Sequence, residues 1–344
     1  MKTLYDIEEY LFEIKIVSKS IDKDFLKGKS ILLSGASGLI GSYLIDVLLI
    51  DPSLDVTIYA LTLSLEHGQK RFSKFVNDSR LKFIVGNVVD PIEVTEPIDY
   101  VIHGASYTDP KGYAEHPIDT MLVNFLGVKS MLDVAVKNHA KKFMFMSSCE
   151  IYGEADLDEI PEDYTGHLDT MDVRSCYNES KRASETLCVC YAKEKGLDVV
   201  IPRFSRCFGP TMKLTDTKAL SQFLFNGLKH NDIVLKSEGT QKYSYLYVAD
   251  AVRSILFLLE HGENMQAYNV ASPEVLHLKD MAQYVASICG TKVVFNLSKE
   301  TSMSYSKTSR AIQSTKKISA LGFKTTFTIE EGLKQTVAIL KKAL

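Results

Sequence analysis

The chain has 344 residues, 45% hydrophobic and 24% charged, with 40 Lys and Arg against 43 Asp and Glu for a formal net charge of −3. This is an ordinary globular composition, long enough for about two domains, and its near-neutral balance excludes a nucleic-acid or polyanion binder driven by charge. No apolar run approaches the roughly 18 residues of a membrane span, and the N-terminus lacks a basic-then-apolar secretory pattern, so a cytoplasmic location is expected. Cys149, Cys176, Cys188, Cys190, Cys207 and Cys289 are scattered without a C-x-x-C pair. That spacing predicts reduced thiols and no metal site.

Leu4, Ile7, Leu11, Ile14 and Val17 recur at helical intervals with Glu8, Glu9 and Lys15 between them. They predict that residues 1–28 form an amphipathic lead-in, packed on the body or on a second subunit. Apolar strands are then expected at 31–33, 56–61, 83–85, 100–102, 143–146 and 199–202, with helices at 39–50, 117–138 and 176–195. Strands without polar alternation, each followed by a helix, imply a doubly wound parallel α/β sheet of Rossmann type, covered on both faces. After about residue 206 the pattern loosens into helices at 217–229, 248–261, 278–288 and 329–343 with short strands at 233–235 and 293–295. This predicts a smaller C-terminal α/β lobe.

The first strand runs into Gly35-Ala36-Ser37-Gly38-Leu39-Ile40-Gly41 and then a helix. Glycine suits the tight turn, the backbone approach to a pyrophosphate and the close packing of helix on strand, while the helix N-terminus favours phosphate charge. The spacing is G-x-x-G-x-x-G, and its place at the first strand–helix junction predicts a dinucleotide site. Residues 29–205 are then the dinucleotide-binding domain, and 206–344 the substrate lobe, partly interleaved with it. The second strand ends Tyr59-Ala60-Leu61-Thr62-Leu63-Ser64, with neither an acid for the ribose of NAD nor an Arg for the phosphate of NADP. Lys70 and Arg71 lie further on. Lacking a cation there, the reading leans to NAD and leaves NADP open.

The strand 143–146 leads into Ser147, Ser148, Cys149 and Glu150, and about thirty residues later comes Ser175-Cys176-Tyr177-Asn178-Glu179-Ser180-Lys181. Tyr177 and Lys181 share a helix face one turn apart. An ammonium near a phenol stabilises phenolate. Ser148 can orient a substrate hydroxyl while Tyr177 takes its proton and hydride leaves the same carbon for nicotinamide. Tyr and Lys at this spacing recur by chance, but here they follow a glycine loop and a Ser at a strand end. That order places all three at the carboxyl edge of one sheet.

These residues carry a family resemblance over about 29–344. The chain resembles extended short-chain dehydrogenase/reductases of the nucleotide-sugar epimerase/dehydratase group, through SGASGLIG, HGAS (103–106), SSCEIYG, SCYNESKRASETLC, PRFSRCFGP (202–210), YLYVAD (245–250) and LGF (321–323). Within the group, RSCYNESKRASETLCVCY is most similar to UDP-glucuronate decarboxylases. The resemblance implies cofactor contacts from Gly35, Ser37, Gly38, Leu39, Ile40, Gly41, Asn87, Val88, His103, Ala105, Ser147, Tyr177 and Lys181. It implies catalysis by Ser148, Tyr177, Lys181 and Glu150, substrate contacts from Arg206, Tyr243 and Arg310, and a homodimer through the helices near 117–138 and 176–195.

Against the resemblance there are departures: Asn87 replaces an Asp near the adenine, Arg206 replaces a phosphate-contacting Asn, and Tyr243 replaces an Arg that grips the nucleotide diphosphate. Arg206 can offset the loss at Tyr243. Cys149 stands where glucose-type dehydratases carry an acid, which disfavours that reaction; a small core filler is expected there. His103 is expected to shape the loop beside the cofactor rather than transfer protons, Tyr152, Phe204 and Phe208 to be packing or pocket walls rather than catalysts, and residues 154–163 with His167 to form a solvated loop near the entrance.

The leading expectation is an NAD-dependent enzyme working at carbon 4 of a nucleotide-diphosphate sugar, and within it decarboxylation of a UDP-hexuronate, with Arg310 on the carboxylate. Its rivals are 4-epimerisation, GDP-mannose-type 4,6-dehydration with Glu150 as base, and a non-catalytic dinucleotide sensor that needs neither Tyr177 nor Lys181.

Overall fold

The computed structural model describes residues 2–108, 110–213, 216–297 and 310–344, without the side chains of Arg310 and Ala311. After a 3-10 turn at Leu4–Asp6 come α1 (Glu8–Lys19), α2 (Lys23–Leu26), β1 (Lys29–Ser34), α3 (Leu39–Ile50), β2 (Val56–Thr62), α4 (Leu65–Arg71), β3 (Leu81–Val85) and β4 (Tyr100–His103). Helices α5 (Pro110–Glu115) and α6 (Pro117–Lys137) lead to β5 (Lys142–Phe145), β6 (Ser147–Ser148), α7 (Ser175–Lys195) and β7 (Val199–Phe204). Then follow β8 (Arg206–Phe208), α8 (Ala219–Leu228), β9 (Ile233–Leu235), β10 (Lys242–Tyr247), α9 (Val248–His261), β11 (Gln266–Val270) and β12 (Val275–His277). The chain closes with α10 (Leu278–Cys289), β13 (Val293–Phe295), β14 (Arg310–Ala311), α11 (Lys316–Ala320) and α12 (Ile329–Ala343).

The main sheet has the order β11-β7-β5-β4-β1-β2-β3, with β6 beside β7, and its pairings are parallel. Successive side chains on a strand face opposite ways, and both ways are apolar here. Ile31 and Leu33 of β1 join the core with α1, α3 and α9, whereas Leu32 joins the core with α6 and α7. Met144 and Phe143 of β5 divide in the same manner. This is the expected doubly wound fold, and it explains why the strands read as unbroken apolar runs. Chain order reverses at β1, with β2 on one side and β4 on the other. Ligands of open α/β sheets bind at such a point, outside the carboxyl ends of the strands.

A smaller sheet, β12-β10-β14 with β8 beside β10, lies in the second half of the chain, together with the pair β13-β9. Sequence periodicity placed no strand at β10 or β11. Both carry polar residues that interrupt the apolar run, and packing supplies their partners. Asn269 of β11, wholly buried, donates to the Ile160 carbonyl at 2.9 Å and accepts from the Tyr152 hydroxyl at 2.6 Å. β11 thereby returns from the second half to the edge of the main sheet.

The lead-in is not one helix. Ile7 adopts an extended backbone (φ −111°, ψ 112°), and α2 restarts on Asp22, whose carboxylate accepts the N–H groups of Asp24 and Phe25. The apolar face packs on the body of the molecule: Ile7, Tyr10, Ile14 and Val17 are buried in the main core. Two buried carboxylates fasten it. Glu13 accepts from the Tyr43 hydroxyl of α3 and the Tyr247 hydroxyl of β10, both at 2.7 Å, so α1 ties the helix behind the glycine loop to the smaller sheet. Asp46 of α3, wholly buried, accepts from the Tyr5 hydroxyl at 2.6 Å and from the Tyr10 hydroxyl, and pairs with Arg71 at 2.8 Å.

Among the described residues no helix is long and apolar enough to cross a membrane, and no group of three or more His, Cys, Asp or Glu is placed to hold a metal ion.

Candidate active site

β1 delivers the chain into the glycine turn at the switch point. Gly35 has φ +72°, and a Cβ there would meet the Gly104 carbonyl carbon at 2.5 Å; a Cβ on Gly41 would meet the Gly35 oxygen at 2.4 Å. Protein packing alone therefore demands both glycines. Gly38 differs. A Cβ there would meet only the Gly35 oxygen, at 3.2 Å, leaving the rest of that side open. Gly38 is also the N-cap of α3, and no side chain caps it, so the first N–H groups of the helix are left for a ligand. Ser37, Leu39 and Ile40 around it are half-buried. An open cradle over an uncapped helix N-terminus fits the pyrophosphate of a dinucleotide.

At the end of β3, Asn87 is exposed and Val88 buried, the Asn87 carboxamide oxygen accepting the Val89 N–H at 3.3 Å. Arg71, the one Arg near the end of β2, is committed to Asp46 and to the Tyr5 hydroxyl at 2.9 Å. It offers no charge to an NADP phosphate.

His103 closes β4, wholly buried, with its Nδ1 2.9 Å from the Ser34 hydroxyl. The N–H groups of Gly104 and Ala105 donate to that same oxygen at 3.2 and 3.4 Å, so the Ser34 hydroxyl joins His103 to the start of the loop. Burial, then the Lys181 charge, pulls its pKa down to about 3. Since the ordinary histidine pKa is near 6.5, the unfolded chain takes up a proton below that pH which the fold refuses, and stability falls with falling pH down to about 3. This residue should cost the fold about 2 kcal/mol between pH 7 and pH 5. Urea unfolding at the two pH values checks it: His103→Asn should flatten the slope, and an unchanged slope would assign the acid sensitivity elsewhere.

Ser148 ends β6 and caps the 3-10 turn Cys149–Tyr152, its hydroxyl accepting the Glu150 N–H at 3.2 Å. Ser147 faces otherwise: its hydroxyl donates to Glu185 of α7 at 2.6 Å, and Glu185 is paired with Arg203 at 2.7 Å. The Ser147 hydroxyl is thus taken up within the protein. The Cys149 thiol is pushed up to about 11 by burial, which keeps it neutral and agrees with a packing role.

Helix α7 sets Tyr177 and Lys181 on one face. The Lys181 ammonium lies 5.8 Å from the centre of the Tyr177 ring and 4.7 Å from that of Phe145, and it donates to the Met146 carbonyl at 3.0 Å. Burial pulls its pKa down to about 8, with Glu185 opposing. The expected fall in the Tyr177 pKa is not found in the chain by itself. Burial of the phenol pushes it up, the Ser148 hydroxyl opposes this, and Tyr113 and Glu150 add to the rise. Desolvation of the anion is the largest cause of the rise, while the Lys181 ammonium bonds the Met146 carbonyl.

The substrate side is built from separate segments. Arg206 of β8 bonds Glu150 Oε1 at 3.2 Å and lies 3.7 Å over the Tyr243 ring of β10. The structure thus brings together the Arg and Tyr that departed from the resemblance. Arg174, just before α7, approaches Glu150 Oε2 at 3.9 Å and sits 5.7 Å over the Tyr113 ring, which stacks on Tyr177 at 5.4 Å. Periodicity gave no sign of Tyr113, in a short helix. Arg174 stood inside the RSCYNESK motif without a role, although a cation three residues before the Tyr was a usable signal. The backbone of Arg310 pairs with Lys242; its side chain lies outside the described residues.

Residues 31–271 match the NAD dependent epimerase/dehydratase family. The chain belongs to that family. UDP-glucuronic acid decarboxylase 1 of Xenopus tropicalis is 28% identical over 317 residues, 92% of this chain and 73% of that protein. UDP-glucose 4-epimerase of Thermotoga maritima with UDP-glucose aligns at a TM-score of 0.79 and 21% identity, covering 91% of this chain and 99% of that one. UDP-glucuronic acid 4-epimerase of Bacillus cereus, in complex with UDP-glucuronic acid and NAD, aligns at 0.77 and 21%, covering 92% and 100%. The epimerase/dehydratase family is an enzyme family, and its NAD dependence agrees with the open cradle at Gly38 and with the commitment of Arg71 to Asp46.

Proposed function

We propose that this protein decarboxylates a UDP-linked hexuronate by passing through a ketone at carbon 4. The observation that carries the reading is the convergence of Ser148, Tyr177 and Lys181 at the carboxyl edge of the sheet with Glu150 two residues beyond Ser148; the decarboxylase relative supports the choice of sugar. Residues 29–205 supply the cofactor half and 206–344 the substrate half.

Gly35, Ser37, Gly38, Leu39, Ile40 and Gly41 hold the pyrophosphate of NAD, Asn87 and Val88 border its adenine, and His103, Ala105, the Ser147 backbone, Tyr177 and Lys181 border its nicotinamide half. NAD bound there supplies the hydride acceptor at carbon 4 and the donor for its return. Ser148 hydrogen-bonds the carbon-4 hydroxyl, and Tyr177 takes its proton as the carbon becomes a ketone. Lys181 holds positive charge beside the phenolate formed. The carboxylate is then beta to a ketone: the C5–C6 bond breaks, carbon dioxide leaves, and the electron pair passes through carbon 5 to the carbon-4 oxygen as an enolate. Proton uptake at carbon 5 restores the ketone, and Tyr177 returns its proton when carbon 4 is reduced. Arg206 and Tyr243 border the diphosphate, and Arg310 belongs to the same substrate side.

Ile118 (72% exposed), Met121, Leu122 and Phe125 form an outward apolar stripe on α6, which supports a homodimer through α6 and α7.

Incubation with UDP-glucuronate and mass analysis of the nucleotides tests the reading: UDP-pentose and carbon dioxide should appear in equal amounts. Recovery of UDP-galacturonate alone would replace decarboxylation by 4-epimerisation.

A further inference from the structure

Arg174 is the guanidinium nearest the Tyr113–Tyr177 stack, and none of the steps above uses it. Its backbone is fixed, since its N–H donates to Asp172 Oδ1 at 2.9 Å and the next residue, Ser175, donates its hydroxyl to the Asp169 carbonyl at 2.6 Å. The side chain is 17% exposed. Among the described residues the one carboxylate within 4.0 Å of it is Glu150, at 3.9 Å, too far for a hydrogen bond. Glu150 itself is engaged more closely by Arg206, at 3.2 Å. The Nε–H of Arg174 is buried with no hydrogen-bond partner.

Two guanidiniums and one carboxylate leave this side of the site with one formal positive charge in excess. A buried guanidinium N–H without an acceptor is costly and calls for an explanation. The fork of Arg matches the two oxygens of a carboxylate, and its planar face already rests on the ring next to Tyr177. We propose that Arg174, in addition to the Arg310 that the resemblance puts on the carboxylate, receives the carbon-5 carboxylate of the sugar and makes the site select hexuronates over neutral hexoses. The inference rests on the hexuronate reading and names the residue that enforces it. A neutral hydroxymethyl group leaves the Arg174 donors unmatched, and the cost of that mismatch is the source of the selection. The Tyr113 ring lies against the guanidinium and stacks on Tyr177, so the anion is bound one ring away from the phenol that works at carbon 4.

The test measures dissociation constants of UDP-glucuronate and UDP-glucose by calorimetry with the NAD-loaded protein. The parent should prefer UDP-glucuronate. Arg174→Met should weaken UDP-glucuronate roughly 30-fold and UDP-glucose by less than about threefold. Arg174→Lys, which keeps the charge and loses the fork, should recover part of the affinity and still reports if the Met variant fails to fold. A parent preference that survives both substitutions would overturn the role of Arg174 and leave the hexuronate reading standing. A parent without preference would overturn both.

Discussion

Tyr177→Phe should lower kcat on UDP-glucuronate by about 10²–10⁴-fold, the usual contribution of a positioned acid–base group, and leave the affinity for the nucleotide sugar within about threefold. The substitution is clean because the ring is held by its face: it stacks on Tyr113 at 5.4 Å and is buried, and Phe preserves that packing. Only the hydroxyl is lost. That hydroxyl sits where burial raises its pKa, so proton removal at neutral pH depends on the groups around it. Ser148 opposes the rise already, and Lys181 reaches the same face with an ammonium whose pKa is near 8. Lys181→Met should therefore produce a loss of the same order, and the double variant should be little worse than either single one, as for residues acting as a unit. Steady-state rates with calorimetric affinities check both. A Tyr177→Phe protein that kept more than about a tenth of the parent rate would remove the phenol from the reaction.

Asp46→Ala should destabilise the protein by about 3–5 kcal/mol, the cost of breaking a buried ion pair from one side. Asp46 is wholly buried, and without it the Arg71 guanidinium and the Tyr5 and Tyr10 hydroxyls lose their common acceptor. The effect should reach beyond stability. Residues 2–26 are fastened to α3 by this carboxylate and by the Tyr43–Glu13 bond, and α3 carries Gly38 at its N-terminus. The variant should accordingly expose the lead-in to proteases and bind NAD less tightly. Urea denaturation with limited proteolysis measures this; a loss below about 1 kcal/mol would reduce the network to the worth of an exposed pair.

Much of the fold was legible because its signals are local. A strand buried on both faces writes itself as Ile31-Leu32-Leu33, whichever helices cover it, and α9 and α12 were placed from periodicity to the residue. The glycine turn was legible for the same reason: positive φ at Gly35 and the backbone approach at Gly41 admit no side chain. Tyr177 and Lys181 could be paired because one helical turn separates them.

Adjacent residues therefore encode the alternation of strand and helix, the turn that suits a dinucleotide, and the face shared by a phenol and an ammonium. The tertiary structure alone decided the rest. It directed Lys181 to the Met146 carbonyl and raised the Tyr177 pKa by burial, committed Ser147 to Glu185, and gathered Glu150, Arg174, Arg206 and Tyr243 from four segments into one cluster. It also made strands of polar stretches such as Gln266–Val270, whose partners come from distant chain. The physical reason is range. Backbone preference and amphipathic period act over a few residues, whereas desolvation and the choice of a charge's partner depend on which remote segments packing brings within about 4 Å.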